Sequence, residues 1–150
     1  KKGTYDGVYC VDMDATATGT VDLSPGGYYV DGNIFMQAGV LLLGTDTQDS
    51  PYTTKIQLEE GAEGNTDIDA IVVMDGIQDA WIARTMIRGN HDPETGTESS
   101  PVPGLGSACL SVVNSQNITC EDIDIRYCSG DALVVRDSTL VNVDGGKYDE

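Results

Sequence analysis

Ser107-Ala108-Cys109-Leu110-Ser111-Val112-Val113-Asn114-Ser115-Gln116-Asn117-Ile118-Thr119-Cys120 and Gly130-Asp131-Ala132-Leu133-Val134-Val135-Arg136-Asp137-Ser138-Thr139-Leu140-Val141-Asn142-Val143 read as two copies of one unit, offset by 23 residues. Leu110 falls on Leu133, Val112 on Val135, Ser115 on Ser138, Ile118 on Val141 and Cys120 on Val143. A period in this range marks a solenoid. Within each copy, apolar residues alternate with polar ones, stop at a polar corner, and resume. Alternation at period two means that one face of each strand is buried.

Working upstream, Ile71, Val73, Ala80 and Ile82 take the places of Leu110, Val112, Ile118 and Cys120, and Gln78-Asp79 matches Gln116-Asn117. Ile34, Met36, Val40 and Leu42 repeat the pattern once more. A third strand follows in some units, around Ile123 and Ile125 and at Ile87. Three short strands in each unit leave no room for a helix. Stacked units place equivalent residues ~4.8 Å apart. The inward rows are then Ile34–Ile71–Leu110–Leu133 and Val40–Ala80–Ile118–Val141. This is the pattern of an all-β parallel β-helix of roughly five coils.

The length suits one domain over residues 1–150, whether whole or part of a longer chain. Residues 7–13 read as an irregular first strand or a cap, and Val21 and Leu23 as the inward pair of an early coil. Polar stretches at 45–54, 59–69 and 88–106 read as loops. The last replaces only Arg126–Ser129 of the following unit. Such insertions are tolerated because loop closure costs little, and in repeat proteins they gather on one face, often the binding face.

The net charge of −17 excludes nucleic acid as a partner, because phosphates would be repelled. It suits a secreted setting. It also disfavours a polyanionic ligand unless calcium or a local basic groove intervenes. No apolar run is long enough for a helical membrane span. Cys10, Cys109, Cys120 and Cys128 allow three full pairings. Cys120 sits in an inward row as a small apolar residue. Cys109 and Cys128 lie near the same edge of neighbouring coils and could pair. A single histidine and the lack of a CxxC pair argue against zinc.

Gly19-Thr20-Val21-Asp22-Leu23-Ser24-Pro25-Gly26-Gly27-Tyr28-Tyr29-Val30 resembles the first-coil signature of the pectin-lyase-like superfamily. Gly39-Val40-Leu41-Leu42-Leu43-Gly44 is similar to the strand that follows it there, and Gln116-Asn117-Ile118-Thr119 to the generic coil repeat. The resemblance covers most of residues 19–143 and implies a right-handed, single-stranded parallel β-helix. It does not imply one activity, since that superfamily includes lyases, hydrolases, epimerases, tailspikes and non-catalytic surface proteins. Asn65-Thr66-Asp67 lacks the glycine that follows in polygalacturonase-like enzymes, and Gly130-Asp131-Ala132 stands where they carry Gly-Asp-Asp. The Asp-Pro-His-Glu of alginate-epimerase-like enzymes has no counterpart in its coil. His91-Asp92-Pro93-Glu94 holds similar residues in another order and place.

The residue types leave these candidates. Trp81 should point outward between inward Ala80 and Ile82, beside Thr119 and Asn142, as a platform for sugar rings. His91, Asp92, Glu94 and Glu98 share the long loop and could act as acid–base groups or calcium ligands. Asp67, Asp69 and Asp131 could contribute to a carboxylate site. Glu121 over Asp144 is a like-charge stack that would welcome Ca2+. Asn117-Ile118-Thr119 is a glycosylation sequon, although corner asparagines of β-helices often turn inward. Arg84 near Asp122, Asp124 on Lys147 and Arg126 on Asp149 read as outer-face charge pairs. The expected function is polysaccharide recognition by an extracellular or cell-surface β-solenoid without a recognisable catalytic set. The alternatives are a subunit stacking end to end on itself into a filament, or a polysaccharide lyase, hydrolase or epimerase.

Overall fold

Alternating stretches become short strands in the computed structural model, which describes residues 3–5, 8–10, 19–23, 26–30, 33–45, 54–58, 70–89, 108–128 and 130–148. Among them β1 (Gly3–Tyr5) and β2 (Val8–Cys10) form an antiparallel pair. The chain continues through β3 (Gly19–Leu23) and β4 (Gly26–Val30), then β5 (Ile34–Phe35), β6 (Val40–Gly44) and β7 (Thr54–Leu58). Next come β8 (Ala70–Asp75), β9 (Gln78–Ala83) and β10 (Met86–Arg88), then β11 (Ala108–Val113), β12 (Gln116–Glu121) and β13 (Asp124–Arg126). The last triplet is β14 (Leu133–Arg136), β15 (Thr139–Asp144) and β16 (Lys147–Tyr148).

Each triplet, here called a rung, adds one strand to each of three sheets, always in the same order. Sheet one is β5-β8-β11-β14, sheet two β3-β6-β9-β12-β15, and sheet three β4-β7-β10-β13-β16. Every pairing in them is parallel. No helix occurs among the described residues. The arrangement is all-β and consistent with a β-helix. β2 lies near β4 but outside the three parallel sheets.

Register follows the offset of the opening repeat. Leu110 pairs with Leu133, Val112 with Val135, Ile118 with Val141 and Cys120 with Val143. One upstream row differs from the sequence reading. Leu110 stacks on Val72 and Val112 on Met74, so Ile71 and Val73 are not in those rows. The corner Asp75-Gly76-Ile77-Gln78 has the same length as Val113-Asn114-Ser115-Gln116, which fixes this register. The run Ala70–Met74 is apolar throughout, so alternation could not choose between its two faces. Ile71 is still buried, at a level with Cys109.

Sheet three includes Thr54–Leu58, flanked by the polar stretches 45–54 and 59–69 in the sequence. Its inward row runs Tyr28–Ile56–Ile87–Ile125, all buried. The inward rows of sheets one and two complete the core around Leu42, Met74, Ile82, Leu110, Val112 and Ile118. Side chains of this size each contribute ~1.5–3 kcal/mol on full burial.

Sharp corners between strands use left-handed backbone at equivalent positions. Gly76, Asn114 and Asp137 have φ of 66°, 50° and 47°. Gly39, Asp79, Asn117 and Leu140 have 74°, 58°, 55° and 54°. Glycine reaches this region freely, and Asn and Asp tolerate it. The corner composition thus follows from a backbone shape repeated rung after rung.

Candidate functional site

Trp81 projects from sheet two and is 41% exposed. Its register neighbours are Leu41 on one side and Thr119 on the other, with Asn142 next to Thr119. Strand alternation places it outward, because Ala80 and Ile82 on either side are buried. The row therefore offers an indole face followed by a hydroxyl and a carboxamide, spaced one strand apart.

Beside this row, an open groove of about 520 Å³ follows the corner between sheets one and two. Gln78 and Gln116 are in register along it, and Gln116 is in register with Thr139. Asn114, Ser115 and Asp137 line the other side. Carboxamides, a hydroxyl and a carboxylate recur along the solenoid axis there. The carboxamides and hydroxyl both donate and accept hydrogen bonds and the carboxylate accepts them, as sugar hydroxyls require.

Hydrogen bonds across rungs hold the groove in shape. Asn117 Nδ2 donates to Asp79 Oδ1 at 2.7 Å, and Asn114 Nδ2 to Asp75 Oδ1 at 3.1 Å. The Ser115 N–H donates across to Ser138 Oγ at 3.0 Å, while within its own corner the Ser115 hydroxyl donates to the Val113 carbonyl at 2.7 Å. Asn117 is exposed, with its amide on a neighbouring side chain rather than turned inward onto the backbone.

Glu121 and Asp144 are in register on β12 and β15. No group of three or more metal-ligating side chains occurs among the described residues. Asp131 is exposed, and its carbonyl accepts from the Cys109 N–H at 3.2 Å. His91, Asp92, Glu94, Glu98, Asp67, Asp69 and Asp149 lie outside the described residues. Cys109 and Cys128 form a disulfide, with 5.8 Å between Cα atoms and 19 residues of separation. The bridge links the start of one rung to its own end, not two neighbouring coils. Burial pushes the free Cys120 thiol from its ordinary 9.0 up to about 11, so it is protonated and shielded near neutrality.

The sequence showed the outer side of sheet three only in part, at Asp124, Arg126 and Lys147. Lys55, Met86, Asp124 and Lys147 form one register row, and Gln57, Arg88 and Arg126 another. Asp124 is fully buried, and Arg126 grips it with Nε–Oδ1 at 2.8 Å and Nη2–Oδ2 at 2.7 Å. The Asp124–Lys147 stack expected from the sequence is thus a register neighbour, while the ion pair of Asp124 is with Arg126 in its own strand. The Arg88 guanidinium lies 4.5 Å from the centre of the Tyr127 ring. No helix among the described residues is long and apolar enough to cross a membrane. No protein-family model, curated protein or solved structure matches the chain.

Proposed function

We propose that this protein is an extracellular carbohydrate-recognising β-solenoid of the pectin-lyase-like type, right-handed and of roughly five coils. The observation that carries the reading is the exposed Trp81, aligned with Thr119 and Asn142 beside a polar groove that runs along the axis. An indole supplies flat apolar area to a sugar ring and an N–H to its hydroxyls. The repeated carboxamides of Gln78, Gln116 and Asn114 meet successive units of an extended glycan. The ligand is polymeric on this reading, because the groove repeats with the rungs and has no closed end.

A glycan array at low protein concentration, followed by titration of the retained polysaccharide, tests this. Trp81→Ala should weaken binding at least about tenfold, as loss of a central aromatic anchor does. Gln116→Ala should weaken it less. No retained glycan, or equal affinity of Trp81→Ala and the parent chain, would sink the reading.

A further inference from the structure

The strands of sheets two and three divide the charge of this acidic chain unequally. Sheet three carries Lys55, Arg88, Arg126 and Lys147 in its strands, against the single carboxylate of Asp124. Sheet two carries Asp22, Asp79, Glu121 and Asp144 in its strands, with no Lys or Arg. The whole chain has only 8 Lys and Arg against 25 Asp and Glu, so placing half of its cations on one sheet is a strong segregation.

Local pairing neutralises only part of the basic side, since Asp124 is the one carboxylate in its strands. Arg88 and Arg126 are in register on adjacent strands. Like charges directly opposite each other are destabilising. Asp124 engages Arg126 through both oxygens, and Arg88 is held by the Tyr127 ring. Tyr127 itself adopts a left-handed φ of 57°, a conformation that disfavours a side chain. Two arginines and a strained aromatic are thus held on one face of a chain rich in acids that could have been set between them.

We propose that the outer face of sheet three docks on the outer face of sheet two of a second copy of this chain. Charge complementarity selects this occupant, because the chain supplies both signs in separate rows. Both rows belong to the same solenoid and have the same ~4.8 Å pitch. Two copies lying side by side therefore match cation to anion over several rungs without adjustment. Exposed Trp81 lies between Asp79 near the start of β9 and the Glu121–Asp144 pair at the ends of β12 and β15. An apolar centre with a charged rim, facing arginine and tyrosine, is the composition of a protein interface. An arginine meeting the indole face adds a cation–π contact. The two faces differ, so the contact is heterologous. Each end of the assembly keeps one face free, so it grows sideways rather than closing as a two-fold dimer.

Net charge opposes association at long range. At about 0.15 M salt, screening acts beyond about 8 Å, so contact pairs persist while distant repulsion fades. Sedimentation velocity over a concentration series tests the contact at about 0.15 M and about 1 M NaCl. Concentration-dependent growth at the lower salt and its weakening at the higher are expected. Arg88→Glu with Lys147→Glu reverses two of the four charges of the basic face, and Glu121→Lys with Asp144→Lys two of the four of the acidic one. Each variant alone should associate at least about tenfold more weakly. An equimolar mixture should give a one-to-one complex that grows no further, because each variant retains the face that the other lost. This complementation also shows that both variants fold. The single change at exposed Lys147, Lys147→Glu, gives a milder arm. A parent chain that stays monomeric at both salts overturns the proposal. So does association unchanged in either double variant. Trp81 serves both contacts, so glycan affinity is measured at dilutions where sedimentation shows monomer, and each reading can fail alone.

Discussion

The rung of β11–β13 and the rung of β14–β16 share one pattern, but they do not share burial. Val112 and Val135 stand in one row of sheet one, yet they are 0% and 44% exposed. Cys120 and Val143 stand in one row of sheet two, at 0% and 41%. The β11–β13 rung is covered on both sides, by β8–β10 and by β14–β16. Among the described residues nothing lies beyond the β14–β16 rung. In a solenoid each unit gains most of its stability from its neighbours, so identical side chains contribute differently according to rung. The disulfide adds to the contrast, since it staples the β11–β13 rung.

The largest effect expected from this contrast is at alkaline pH. The Cys120 thiol is raised to about 11 in the folded chain from 9.0 by burial. The unfolded chain releases that proton first, so stability is intact below pH 9 and falls as pH rises toward 11. The full loss is about 2–3 kcal/mol, taking each pKa unit as ~1.4 kcal/mol. Urea unfolding of the parent chain and of Cys120→Val at stepped pH should differ by this slope, which the variant loses. Moving the thiol to the β14–β16 rung as Val143→Cys sharpens the point. Its thiol should react with an alkylating reagent much faster at pH 9, and equal rates would erase the distinction between rungs.

Truncating one residue type in one row gives the next largest difference. Val112→Ala deletes two buried carbon groups and leaves a cavity, at a cost of about 2 kcal/mol. Val135→Ala at a half-exposed position should cost less than about 1 kcal/mol. Equal shifts in the urea midpoint would mean that something covers the last rung in solution.

The sequence made the two later rungs legible because their polar corners are equally long and their apolar positions alternate strictly. It misplaced β8 by one residue because Ala70–Met74 carries no alternation. It showed Trp81 as outward because the buried Ala80 and Ile82 bracket it. It aligned Gln78 with Gln116 but did not show the groove, because only the folded corner between sheets one and two brings Asn114, Ser115 and Asp137 beside that row. Most cations of sheet three stayed hidden for a related reason. Lys55, Arg88 and Arg126 are scattered along the chain, and segments of unequal length separate them. Stacking brings them together, and composition reports only their minority.

The smallest effect bears on the corner that both rungs must turn. Asn117 and Leu140 occupy equivalent positions with φ of 55° and 54°. Asn117 suits this backbone and donates across the rung to Asp79. Leu140 does not suit it, and its side chain is 71% exposed, so no burial offsets the strain. A left-handed conformation costs an ordinary side chain about 1–2 kcal/mol, and asparagine less. Leu140→Asn should therefore stabilise the chain by about 1 kcal/mol in urea unfolding, although it deletes an apolar side chain. Glycine at the same position should gain less, because it also frees the unfolded backbone. The reciprocal change, Asn117→Leu, should lose about 1–2 kcal/mol through strain and the broken bond to Asp79. Stabilisation by Leu140→Asn together with loss by Asn117→Leu would show that the backbone, rather than the side chain, is what the rungs repeat. If Leu140→Asn destabilises instead, the leucine is covered in solution, and the exposed edge of the β14–β16 rung is itself a contact surface.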